Sequence, residues 1–280
     1  MTLNAGLRKC RRVVRHHEPL PADVVKPRRA VAVSPVILIT GASRGIGAAT
    51  ALQAARAGYT VVVNYRANRL AAEAVVQQIC AMNAEAIAVQ ADVAVEAEIL
   101  AMFATIDARL GPLHALVNSA GVVDVTCRVD QMSAARMQRI FSTNVIGSML
   151  CAREAVLRMS TRHGGSGGAI VNLSSVAATL GSPGQYVDYA ASKGAIDTFT
   201  MGLAREVATE GIRVNAVRPG IIDTEIHASG GKPGRAQQLA ATIPMHRPGT
   251  AEEIASAVMW LLGSGASYTT GALLDVGGGR

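Results

Sequence analysis

Val36-Ile37-Leu38-Ile39-Thr40-Gly41-Ala42-Ser43-Arg44-Gly45-Ile46-Gly47 joins four large aliphatic residues to a turn carrying three glycines, and an alanine-rich stretch runs on from it to residue 57. An unbroken apolar run of this length reads as a strand buried on both faces, and the alanine-rich stretch reads as a helix. In a parallel strand–turn–helix unit the N–H groups of the turn and the helix N-terminus face whatever lies above the strand end, which makes that place an anion site. Gly41, Gly45 and Gly47 occupy the turn, with three residues between the first two and one between the last two. A glycine trio alone is a weak sign. Set directly between a buried strand and a helix, it points to a bound pyrophosphate.

The same alternation continues outward. Residues 36–40, 60–64, 85–90 and 115–118 read as short buried strands, with helices at 45–57, 68–82 and 95–109 between them. Residues 169–173 and 212–217 extend the strand series, separated by long helices near 132–162 and 190–210. Thr250 and Glu253 have the spacing of a capping box that opens a helix to residue 262, and residues 271–276 supply a last strand. Repeated strand–helix–strand units without a second core predict an α/β fold, a single doubly wound parallel sheet of Rossmann type with helices on both faces, over residues 35–280.

Half of the 280 residues are hydrophobic and only 3% are aromatic, so the core must be built from Ala, Val, Ile and Leu. The net charge of +7 raises the question of a nucleic acid or an anionic membrane as partner. Its distribution answers that question: residues 1–34 carry eight Lys or Arg against Glu18 and Asp23, a net of +6, which leaves +1 for residues 35–280. The arm has no interleaved aromatics, and no nucleic-acid partner is expected. Cys10, Cys80, Cys127 and Cys151 are widely spaced, which suggests neither a disulfide framework nor a metal site and fits the cytoplasm. The longest uncharged runs, 164–187 and 254–274, are interrupted by Gly, Ser, Thr and Pro, so no membrane span is expected. Residues 1–34, with three prolines and no apolar periodicity, have the composition of a disordered extension and lack the apolar centre of a secretory signal. They are rich in Arg and poor in acids, as transit peptides are, but contain few hydroxyl residues. The simpler reading is an extension without a role in folding or activity.

Farther along, Ser174-Ser175 precedes Tyr189-Ala190-Ala191-Ser192-Lys193. If residues 190–206 are helical, Tyr189 and Lys193 lie one turn apart on one face. A free tyrosine has a pKa of about 10, and a neighbouring ammonium would make it a usable proton shuttle. Such pairs also arise by chance, so context decides. Here the pair follows the glycine turn, Asn118-Ser119-Ala120-Gly121 and Asn144, and precedes Pro219-Gly220. This order of motifs, over about residues 36–279, resembles the short-chain dehydrogenase/reductase family, whose T-G-x-x-x-G-x-G turn matches residues 40–47. In overall pattern it is most similar to bacterial glucose dehydrogenases and 3-oxoacyl-carrier-protein reductases.

The resemblance implies an oxidoreductase that transfers a hydride between a nicotinamide dinucleotide and a small carbonyl or alcohol substrate. Tyr189 would donate the proton, Lys193 would lower its pKa and hold the nicotinamide ribose, and Ser175 would hydrogen-bond the carbonyl oxygen. Asn144 would interrupt its helix and hold a water that feeds Lys193, or it could mark a kink with no proton role. Ser174 and Ser175 point to opposite sides if the strand continues. The family's serine-to-tyrosine separation favours Ser175, although it is 14 here and commonly one shorter. Tyr186 has no lysine four residues on and reads as pocket wall. The implied cofactor contacts are Gly41, Ser43, Arg44, Gly45, Ile46 and Gly47 in the turn, Asp92 at the adenine, and Asn118, Ala120 and Gly121 after the fourth strand. Pro219, Gly220, Ile222 and Thr224 would line the nicotinamide, with Tyr189 and Lys193 themselves. Asp92 could instead cap the next helix, and Ser119 stands where the family usually has Asn.

An acid at the tip of the second strand binds the ribose 2′-hydroxyl of NAD, whereas Arg accommodates the 2′-phosphate of NADP. Asn64-Tyr65-Arg66 has no carboxylate, and Arg66 with Arg44 could clamp one phosphate, so NADP(H) is expected over NAD(H). The family resemblance further implies a homotetramer. The competing reading is an NADPH-binding sensor without turnover. Residues 225–247, with Gly230, Gly231, Pro233 and Gly234 as hinges, are expected to form a mobile lid. Among its polar groups, His227, Lys232, Arg235, His246 and Arg247, composition does not decide which meet an acidic substrate and which face water.

Overall fold

The computed structural model describes residues 34–225, 231 and 234–280, so the basic extension, His227 and Lys232 lie outside the described residues. β1 (Val36–Ile39) is buried along its whole length, as four consecutive aliphatic residues require. It leads through the glycine turn into α1 (Gly45–Arg56), then β2 (Thr60–Tyr65), α2 (Arg69–Ala81), β3 (Ala86–Gln90), α3 (Glu96–Leu110) and β4 (Leu113–Asn118). The second half runs α4 (Ala134–Phe141), α5 (Gly147–Met159), β5 (Gly168–Leu173), α6 (Ala177–Leu180), α7 (Val187–Val207) and β6 (Ile212–Pro219). It closes with α8 (Arg235–Gln238), α9 (Ala251–Leu262) and β7 (Leu273–Val276).

The seven strands form one parallel sheet in the order β3-β2-β1-β4-β5-β6-β7. Alternate side chains of β1 go to opposite faces. Ile37 and Ile39 join Ala51, Ala54, Val75, Ile254 and Val258 under α1, α2 and α9, and Val36 and Leu38 join Ile99, Phe103, Ile106 and Ala152 under α3 and α5. Both faces are thus covered, which is why the strands read as apolar runs without alternation. The strand order reverses between β1 and β4, and their carboxyl ends open the crevice where such sheets bind ligands.

Local signals explain most of the boundaries. The capping box forms: the Glu253 N–H donates to Thr250 Oγ1 at 3.2 Å, and the Thr250 N–H donates to Glu253 Oε2 at 2.8 Å. The helix expected near 132–162 is divided by a widened, π-helical turn at Ser142–Ile146. The continuous segment Ala134–Met159 is long and apolar enough by length and composition to cross a bilayer, but 56% of its most apolar window is buried inside the protein, as in a core helix. α7 begins at Val187 and not at 190, so Tyr189 sits inside its first turn.

Candidate active site

The glycine turn forms a cradle whose backbone packs too closely for a side chain at two of its positions. A Cβ on Gly41 would come within 2.8 Å of Ala120 Cα, and φ there is +63°. On Gly47 it would come within 2.6 Å of the Gly41 carbonyl oxygen. Two buried polar residues hold this cradle. Thr40 Oγ1 accepts from the N–H groups of Ser119 and Ala120, both at 3.0 Å, which ties the turn after β4 to the turn after β1. Asn64 Oδ1 accepts from the Gly41 N–H at 3.2 Å, while its amide donates to the Val89 and Ala91 carbonyls.

A cavity of about 750 Å³ opens above these turns. Its wall includes Gly41, Ser43, Arg44, Gly45, Ile46 and Gly47, then Arg66, Asp92, Ala120 and Gly121, and on the other side Ser175, Tyr189, Lys193, Pro219, Gly220, Ile222 and Thr224. Two expected site residues do not line it. Asn118 is buried beneath, where its amide donates at 3.0 Å to both the Ser148 carbonyl and Asn172 Oδ1. The Asn144 side chain is fully engaged with the scaffold: its Oδ1 accepts from the Val122 N–H at 2.8 Å, and its amide donates to the Val122 carbonyl at 2.9 Å and to Ser192 Oγ at 3.1 Å. Ser192 in turn donates to the Tyr189 carbonyl at 2.7 Å, so the π turn reaches the start of α7 through one hydroxyl.

Ser174 and Ser175 divide as the strand geometry predicts. Ser174 donates to the Lys193 carbonyl at 3.2 Å, inside the fold. Ser175 accepts from the Ala177 N–H at 3.1 Å and lies near enough to the Tyr189 hydroxyl to lower its pKa. Lys193 is only 5% exposed and donates to the Leu173 carbonyl at 2.6 Å, with its nitrogen 5.6 Å from the centre of the Tyr189 ring. Burial lowers its pKa to about 8, with Asp197 opposing the shift. Burial also raises the Tyr189 pKa above its ordinary value, and Ser175 pulls the other way. Desolvation is the larger influence on both groups.

At the far end, Arg44 and Arg66 line a second hollow of about 290 Å³ together with Arg139 and Asp124, which are ion-paired to each other. Asp92 takes the Ala94 N–H at 2.9 Å on one oxygen, a turn just ahead of α3. Near Tyr189, Tyr186 lines the pocket, and its hydroxyl accepts from Thr126 at 3.1 Å. Gln185, Arg235 and Arg280 also line the cavity, and motif reading assigned none of them. No local signal marks Gln185 or Arg280. Thr40 and Asn64 could have been suspected as polar residues at the ends of otherwise apolar strands. Among the described residues no cluster of three His, Cys, Asp or Glu side chains could hold a metal ion.

A glycine cradle at the switch point of a doubly wound parallel sheet, facing a Ser–Tyr–Lys cluster across one cavity, defines a nicotinamide-dinucleotide oxidoreductase of the Rossmann type. The family model described as Enoyl-(Acyl carrier protein) reductase matches residues 41–280. The uncharacterized oxidoreductase YgfF of Escherichia coli K12 is 57% identical over 245 residues, covering 88% of this chain and 99% of the relative. The 3-oxoacyl-[acyl-carrier-protein] reductase FabG of Staphylococcus aureus is 38% identical over 242 residues, covering 86% and 96%. A double mutant of a Serratia marcescens short-chain dehydrogenase/reductase superposes with a TM-score of 0.80 at 33% identity, covering 88% of this chain and 97% of that one. The chain belongs to the short-chain dehydrogenase/reductase family.

Proposed function

We propose that this oxidoreductase reduces a carbonyl compound with NADPH, with Tyr189 delivering the proton to the nascent alkoxide. The observation that carries the reading is that Ser175, Tyr189 and Lys193 stand together in the wall of the cavity that the glycine turn also lines, with Lys193 Nζ 5.6 Å from the centre of the Tyr189 ring. The dinucleotide, when bound, supplies the hydride. The glycine turn ahead of the α1 N-terminus and the guanidiniums of Arg44 and Arg66 line the cavity and suit its phosphates, and close backbone packing at Gly41 and Gly47 fixes the shape of that turn. Ser175 can donate a hydrogen bond to the carbonyl oxygen while its own oxygen accepts from the Ala177 N–H. Burial raises the Tyr189 pKa and so keeps the group a neutral phenol, the form a proton donor needs. Lys193 can pass its proton on to the phenolate, and the Asn144–Ser192 link keeps the first turn of α7 in position.

NADPH oxidation followed over ketones, aldehydes, sugars and 3-oxoacyl thioesters tests this, with Tyr189→Phe as the blank. Turnover on one class that disappears in the variant is expected. Tight NADPH binding with silence across the panel would leave the sensor reading in its place.

The preference for NADP(H) over NAD(H) rests on Arg44 and Arg66 sharing one hollow and on the absence of a carboxylate at the tip of β2. NADPH should bind at least about tenfold more tightly than NADH, and Arg66→Ala should narrow the gap, since a hydrogen bond to a charged group contributes about 1.5–3 kcal/mol. Equal affinities in the unmodified protein would refute the preference. We further propose a cytoplasmic homotetramer. Ile146, Met149 and Leu157, exposed along one stripe of the α5 region, supply apolar surface for subunit contact.

A further inference from the structure

The segment 225–247 contributes five basic groups, and the three that are described separate cleanly. Arg247 is neutralised by Glu253, with N–O distances of 2.6 and 2.9 Å. His246 is exposed and does not line the cavity. Arg235 does line it, in the same wall as Tyr189.

Its surroundings form a built site. The guanidinium carbon lies 5.5 Å from the centre of the Tyr186 ring, and one terminal nitrogen donates to Gln185 Oε1 at 2.6 Å. Gln185 and Tyr186 are fixed in turn, the first by its carbonyl accepting from the Cys127 N–H at 3.0 Å, the second by Thr126. Arg235 is therefore docked on the short stretch that leads directly into the proton donor. Among the described residues no carboxylate lies within ion-pair reach of it. Among the described residues its partners are a neutral amide and a ring face, which match only one of its five N–H donors. The side-chain carboxylates in the cavity wall are Asp92 and Glu225. Asp92 follows β3 at the adenosine end, and the Glu225 carboxylate lies against Gly45, where a Cβ would be 3.7 Å from Oε2. Neither faces the substrate end.

We propose that Arg235 is a specificity-determining residue that binds a carboxylate carried by the carbonyl substrate, so that the enzyme reduces oxo acids in preference to neutral carbonyl compounds of the same length. This rests on the carbonyl-reductase reading above. The test compares kcat/KM for ω-oxo carboxylates, from malonic to suberic semialdehyde, with that for neutral aldehydes of matching length, in the unmodified enzyme, Arg235→Met and Arg235→Lys. At the best chain length the acid should be favoured about 10- to 100-fold, the worth of one hydrogen-bonded charge pair. Arg235→Met should bring the acid-to-neutral ratio near one, and Arg235→Lys should retain part of it. A ratio unchanged in Arg235→Met, or an unmodified enzyme that favours neutral aldehydes, overturns the proposal. If no aldehyde is turned over, the reductase reading fails on its own, and titration calorimetry of the NADPH-loaded protein with the matching dicarboxylates decides this one. Binding that is lost in Arg235→Met sustains carboxylate recognition; absence of Arg235-dependent binding ends it.

Discussion

Lys193 is a cation held where its charge is disfavoured, and its pH dependence has a definite sign. Its folded-state pKa of about 8 lies below the ordinary 10.5, so the unfolded chain holds the proton more tightly. Below about pH 8 both states are protonated and the burial penalty is fully present; as pH rises from there to 10.5 the folded state loses its proton first and the penalty is relieved. Lys193→Met removes the charge. Its stability advantage over the unmodified protein should therefore shrink by about 3 kcal/mol between neutral pH and pH above 10.5, as read by urea unfolding. A difference that does not vary with pH would show that the ammonium is hydrated. At this scale the Tyr189–Lys193 spacing was readable as chemistry, but the direction in which burial moves both pKa values was not, because desolvation is set by residues far apart in the chain.

Between elements, Arg136 on α4 and Asp188 in the first turn of α7 form a buried ion pair with a nitrogen–oxygen distance of 2.7 Å. Arg136 also donates to the Val125 carbonyl at 2.6 Å, and Asp188 accepts from the Tyr189 N–H at 2.9 Å. The pair thus fixes the loop after β4 and the N-terminus of α7 together. An acid in a first helical turn also suits the helix dipole, which accounts for a helix that starts before residue 190. Arg136→Met should destabilise the protein by about 3–5 kcal/mol in chemical unfolding, because it leaves Asp188 buried without its partner. Arg136→Met with Asp188→Leu should recover much of the loss; a double variant as unstable as the single one would point to packing instead. The capping box at Thr250 was legible because its donors lie three residues apart. The Arg136–Asp188 pair spans 52 residues and leaves no local signature.

For the whole molecule, the Escherichia coli relative aligns over 88% of this chain and 99% of its own length. We expect a protein lacking residues 1–32 to match the full chain in NADPH affinity, in melting temperature and in a tetrameric mass by light scattering. Precipitation or weakened NADPH binding would assign the extension a part in the fold, and a monomer in both forms would remove the homotetramer.

The sequence by itself determined the order of strands and helices, the parallel sheet, the position of the glycine turn and the Tyr189–Lys193 pair. Each is written in a local pattern: apolar runs, a glycine spacing, a one-turn offset on a helix. The tertiary structure alone decided what surrounds those residues. It turned Ser174 inward and Ser175 toward Tyr189, engaged the Asn144 side chain with Val122 and Ser192, and put Asn118 beneath the cavity. It also set Arg235 on Tyr186 while pairing Arg247 with Glu253. Such outcomes depend on which distant groups share one desolvated space, and neither periodicity nor spacing carries that information.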